Sequence, residues 1–145
     1  MRNTLFLLVA ATCVALLSGC GNGALTDAQR NAISTLGKQL PAPYRDGLVV
    51  DSVHRNGSEL VFVIRFPEAS VDMAKAKPEL FEALRRDEDE AITELCAEPA
   101  LAPVYAAGGS VHRRFVDAKG ATFFEVELKP SHCLPHLNAP QELTP

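Results

Sequence analysis

Residues 48–66 read LVVDSVHRNGSELVFVIRF, two β-branched and aromatic runs set around Asn56-Gly57. That dipeptide between hydrophobic runs predicts a tight hairpin, because both residues tolerate the positive φ such turns demand. The second run alternates Leu60, Phe62, Ile64 and Phe66 with Val61, Val63 and Arg65, so each set lines one side of a strand. Both sides are fairly apolar. Either both faces are covered, or one face or edge is left for a partner. The side taken by Asp51 depends on register, which the sequence leaves open.

Elements of helical period flank this hairpin. Upstream, Ala32, Ile33, Leu36 and Leu40 fall near one face of a helix capped by Thr26, with Asp27 in its first turn and Pro41 and Pro43 ending it. Downstream, residues 75–99 read as helix, with Pro78 acceptable in the first turn. Leu80, Phe81, Leu84, Ala91, Ile92, Leu95 and Cys96 form its apolar stripe. Six consecutive charges, Arg85 to Glu90, interrupt that stripe and read as a solvated face or a break between two shorter helices. A calcium loop would need spaced oxygen ligands around a Gly turn.

A short helical turn over 100–107 should end at Gly108-Gly109. A second hairpin follows over 110–128, turning at Asp117 to Gly120, with Phe124, Val126 and Leu128 on one face of its last strand. The expected fold is α+β, of roughly α-β-β-α-β-β order. A small antiparallel sheet of two hairpins carries helices packed mainly on one face. Residues 26–133 form this single domain, and 134–145, with three prolines, form a loose tail. The net charge of -4 argues against nucleic acid as a main partner.

Few residues suggest chemistry. Asp51, Ser52 and His54 have the residue types of a catalytic triad, but strand alternation puts Ser52 and His54 on one face and Asp51 on the other. His132, Cys133 and His136, with His112 or Cys96, offer a weak metal constellation opposed by Pro135 in the loop. His112, Arg113 and Arg114 could place positive charge on one sheet face, although ordinary alternation on a solvated strand is the favoured reading. Asn56-Gly57-Ser58 matches a glycosylation pattern. No phosphate-binding glycine loop or convincing carboxylate pair is present, so neither an enzyme nor a cofactor is expected, and no metal.

The N-terminus supplies the address. Arg2 precedes the apolar run NTLFLLVAATCVALL at 3–17, shorter than the ~20 residues a spanning helix needs and suited to a secretory signal. Leu17-Ser18-Gly19-Cys20 then resembles the lipobox of bacterial lipoproteins. The resemblance implies a signal peptide over 1–19, cleavage before Cys20, acylation of that thiol (palmitate among its chains), and a lipidated tether over 20–25. Gly21 lacks the inner-membrane retention signal of such proteins, which implies an outer-membrane protein facing the periplasm. The alternatives are an ordinary signal peptide with a chance cysteine, or a membrane-spanning anchor.

With Cys13 lost and Cys20 lipidated, Cys96 and Cys133 remain as an even pair in an oxidising compartment. A disulfide between them is expected to pin the end of the last strand to the long helix, two free buried thiols being the alternative. The cadence of residues 90–133 (Leu95-Cys96 ending a helix, Gly108-Gly109 before a strand, a turn at 117–120, then Cys133) resembles the beta-type pilotin lipoproteins of type II secretion. It is also similar to small secreted proteins of pseudomonads linked to quorum-regulated virulence. The pilotin likeness implies binding of a secretin's C-terminal segment and its delivery to the outer membrane. The functional expectation is thus a lipid-anchored, non-enzymatic binding or assembly protein with a protein or peptide partner. A structural or surface-exposed envelope lipoprotein is the alternative, and a metal-binding protein or enzyme a weaker one.

Overall fold

A computed structural model describes residues 21–137. Helix α1 (Gly21–Leu36) leads through a 3-10 turn to β1 (Ala42–Pro43), β2 (Val49–Asn56) and β3 (Glu59–Arg65). There follow α2 (Val71–Ala76), α3 (Pro78–Ala91), a 3-10 segment (Ile92–Ala97), α4 (Ala102–Ala106), β4 (Ser110–Val116), β5 (Thr122–Leu128) and α5 (Pro130–Leu137).

The fold is α+β, but the sheet has five strands in the order β1-β2-β3-β4-β5 and is mixed. Both expected hairpins form, and β3 and β4 join them in parallel, from Glu59↔Ser110 to Arg65↔Val116. The long excursion from 66 to 109 allows this, since parallel neighbours need a crossover rather than a turn. The short β1 pairs with β2 and adds an edge where prolines had suggested only a helix stop.

Pairing of Asn56 with Glu59 makes Gly57-Ser58 the first hairpin's loop, one residue later than Asn56-Gly57, with Gly57 at φ 59°. Two register shifts redirect side chains. One falls between Val50 and Ser52, leaving Asp51 as an extra residue that meets Arg65. The other falls between Phe115 and Val116. It lets both Phe123 and Phe124 pack with core-side aromatics, Phe123 on Phe81 at 4.9 Å and Phe124 on Phe115 at 4.6 Å.

The core lies on the Leu60, Phe62 and Ile64 side of β3. Leu60, Ile64, Val111, Phe115 and Leu128 are buried against Ala32 of α1, Val104 of α4, Cys133 of α5 and Ile92. Phe81 of α3 closes the layer against Phe66. The opposite side carries His54, Val61 and His112 in register, then Ser52, Val63 and Arg114. Helices therefore pack mainly on one face.

Several local expectations are corrected. Helix α1 already includes Gly21, the first described residue, so Thr26 lies inside it instead of capping it, and residues 21–25 are helical where an extended stretch was expected. The segment 75–99 is broken at Lys77, where Pro78 restarts the helix at its first position, and again just after the charges, where α3 gives way to the 3-10 segment at Ile92. The charge run continues through α3 with Glu88 buried, and Leu80 is half exposed rather than part of the stripe. Residues 134–137 belong to α5 instead of a loose tail, and 138–145 lie outside the described residues.

Asp117 shows how a single turn residue ties elements together. Its Oδ1 accepts the Ala121 and Lys119 amides at 2.9 and 2.8 Å, and its Oδ2 accepts the Val71 amide at the start of α2. The Ala121 amide, then those of Lys119 and Val71, hold the carboxyl below its ordinary range, outweighing the opposing effect of desolvation. Its folded value lies below its unfolded value, so its contribution is complete above the ordinary Asp titration and is lost as pH falls through the folded value. Asp117→Asn should therefore lose less stability than wild type on acidification from about pH 5 to about pH 2, measured as the urea midpoint at each pH.

Candidate docking groove

The loop before β2 and the loop after β3 form two lips, and α3 supplies a wall. Between them lies a half-open groove of about 480 Å³. Phe66, Phe115 and Phe124 line it, with Leu84 from α3. The aromatic rings pack on one another: Phe66 lies 6.1 Å from Phe115 between centroids, and Tyr44 meets Phe115 edge-on at 6.3 Å. The first lip owes its shape to Asp46 at φ 56° and Gly47 at φ 78°, two consecutive left-handed residues that turn Arg45 across the groove.

A charge network, buried at Arg113 and Glu88 and half exposed at Arg45 and Glu94, runs along the rim. The Arg113 side chain is only 5% exposed and that of Glu88 only 9%. Arg113 Nη2 donates to Glu94 Oε1 at 2.5 Å, and its Nη1 lies 3.5 Å from Glu88 Oε2. Tyr44 donates its hydroxyl to Glu88 at 2.7 Å, and Arg45 bonds Tyr44 and Glu94 at 2.7 and 3.0 Å. Both guanidinium groups lie over the Tyr44 ring, at 4.7 and 5.2 Å. Two cations balance two carboxylates, which is how charges at this depth become tolerable. Burial, reinforced by the Glu88 carboxylate and opposed by Arg113, holds the Tyr44 hydroxyl well above its ordinary titration range, so it remains a donor.

The residues singled out from sequence are scattered. Cys96 and Cys133 form a disulfide, with Cα atoms 5.2 Å apart. It joins the 3-10 segment after α3 to α5, because Cys133 sits on a helix beyond the last strand. His132 Nδ1 accepts the Lys129 amide at 3.4 Å, whereas His112 lies on the far sheet face between Glu59 and Glu127. The side chain of His136 and all of Cys20 lie outside the described residues. Among the described residues no three metal-ligating side chains converge.

Asp51 is engaged by Arg65, its Oδ2 accepting from Nε at 2.6 Å, instead of orienting His54. Asn56 donates to Glu59 at 3.3 Å. The basic patch dissolves: Arg113 points to the core side, while Arg114 pairs with Glu125 on the outer face. The pilotin likeness implied a groove between sheet and helices or an exposed strand edge, but sequence reading missed Tyr44, Arg45 and the wholly buried Gln29, whose Nε2 donates to the Gly57 carbonyl at 3.1 Å.

No protein-family profile and no curated protein matches this chain. Its fold resembles that of solved structures. A candidate secreted protein of Pseudomonas aeruginosa superposes with a TM-score of 0.59 at 10% identity, over 80% of this chain and 98% of its own. EpsS, a pilotin of the Vibrio vulnificus type 2 secretion system, superposes with a TM-score of 0.52 at 17% identity, over 77% and 93%. AspS, the type II secretion pilotin of Vibrio cholerae, gives 0.48 at 19% identity, over 77% and 100%. The fold likeness thus reaches well beyond residues 90–133. No helix among the described residues is long and apolar enough to cross a membrane.

Proposed function

We propose that this chain is a pilotin-like accessory factor of secretion, anchored through an acylated Cys20 to the outer membrane and holding a secretin segment in the Phe66–Phe115–Phe124 groove. The observation that carries this reading is the groove itself, an apolar, pre-formed cleft on a fold shared with the Vibrio vulnificus pilotin. Its size suits a few inserted side chains rather than a globular partner. The lipobox resemblance supports the anchor, since several acyl chains hold a protein stably where one would bind reversibly. Residue 21 already belongs to α1, so an anchor at Cys20 would hold the domain close to its membrane.

The test is crosslinking in intact membranes. Wild-type protein should remain in the membrane fraction, carry fatty acid at Cys20 by intact mass, and crosslink to a secretin identified by mass spectrometry. Cys20→Ser should be released from the membrane fraction while keeping its fold. A fatty-acid-free Cys20, or crosslinked membranes without a secretin adduct, would overturn the proposal.

A further inference from the structure

The groove's charges say more about its occupant. Four charged residues line it: Arg45, Asp46, Glu68 and Glu88. Arg45 and Glu88 neutralise each other within the rim network at 3.4 Å. Asp46 and Glu68 remain, both exposed, one on each lip, and neither has an ion-pair partner among the described residues. An aromatic floor between two uncompensated carboxylates is complementary to an apolar stripe with cations beside it.

We infer that the groove takes an amphipathic helical segment whose apolar face carries a basic residue on each flank, the two cations meeting Asp46 and Glu68. This rests on the docking role proposed above and names the chemistry of its partner. A helix fits because a floor of aromatic side chains cannot satisfy an incoming strand's backbone, whereas a helix satisfies its own. The chain's own tail at 138–145, NAPQELTP, has the wrong sign, with Glu142 and no basic residue. The Asp46 position also suits a clean probe: Asn tolerates the left-handed conformation there, so Asp46→Asn removes charge without disturbing the lip.

The experiment uses membrane-extracted protein in zwitterionic nanodiscs, with empty nanodiscs as the blank. Three labelled amphipathic peptides of about 18 residues share one apolar face and are flanked by Lys, Gln or Glu. By fluorescence anisotropy at low salt, the Lys-flanked peptide should bind about ten-fold or more tightly than the Glu-flanked one, a gap that narrows as salt is added. In Asp46→Asn/Glu68→Gln the gap should close to within about two-fold. Equal binding of all three peptides overturns the charge assignment but leaves the docking role to the secretin crosslink. A gap that persists in the double variant does the same. No binding of any peptide overturns both readings of the groove.

Discussion

Glu88→Leu should destabilise the protein by about 3–5 kcal/mol, because it removes the buried carboxylate of the network and leaves two cations, one of them the buried Arg113, facing a single half-exposed carboxylate. Arg113 would keep only Glu94, whose side chain is half exposed, and the Tyr44 hydroxyl would lose its acceptor. A urea denaturation series reads the loss as a lower midpoint with unchanged slope. The companion variant decides the cause. Glu88→Leu/Arg113→Met removes the stranded cation together with its partner and should recover a large part of the loss, since apolar replacement of a buried pair is often nearly neutral. Equal damage in single and double variants would mean that Glu88 matters through packing and the Tyr44 bond instead. The surrounding rings make the double variant reasonable, as Met can settle against Tyr44 and Phe115.

Breaking the Cys96–Cys133 bond is expected to cost about 3–4 kcal/mol on the loop-entropy account, for cysteines separated by 37 residues. Cys96→Ala/Cys133→Ala should show it as a lower thermal midpoint that reductant no longer affects, while wild type falls toward the same value when reductant is added. A wild-type midpoint insensitive to reductant, with the thiols shown to be free, would exclude the entropic role. The effect should concentrate on α5, which reaches the core through the buried Cys133. Hydrogen exchange on residues 130–137 would then quicken before exchange in β3 and β4 does.

Both predictions involve features that were unequally visible in sequence. Asn56-Gly57 and Asp117 to Gly120 announced their hairpins because local turn chemistry needs no tertiary information, even though the first loop settled one residue later. The pairing of Cys96 with Cys133 followed from cysteine count and compartment. Other features depend on long-range geometry. The parallel joining of β3 to β4 reflects which edges the crossover brings together, a choice that neither strand's composition encodes. Arg113 was read as a surface charge because alternation gives its side but not which side is buried. Tyr44 and Arg45 follow two prolines and looked like loop, and their role depends on Glu88 and Glu94, more than 40 positions away in sequence. The aromatic floor was half legible: alternation places Phe66 and Phe124 on strand faces, but nothing in the sequence brings them together with Phe115 across β3, β4 and β5.

The parallel seam between β3 and β4 also constrains the order in which the molecule can be made. Each hairpin is local and can close by itself, whereas the seam waits until everything from 66 to 109 has been laid down. Until then β3 exposes its hydrogen-bonding edge along Leu60 to Arg65, an invitation to stray strands. A chain that emerges in stages leaves that edge open for as long as β4 has yet to arrive.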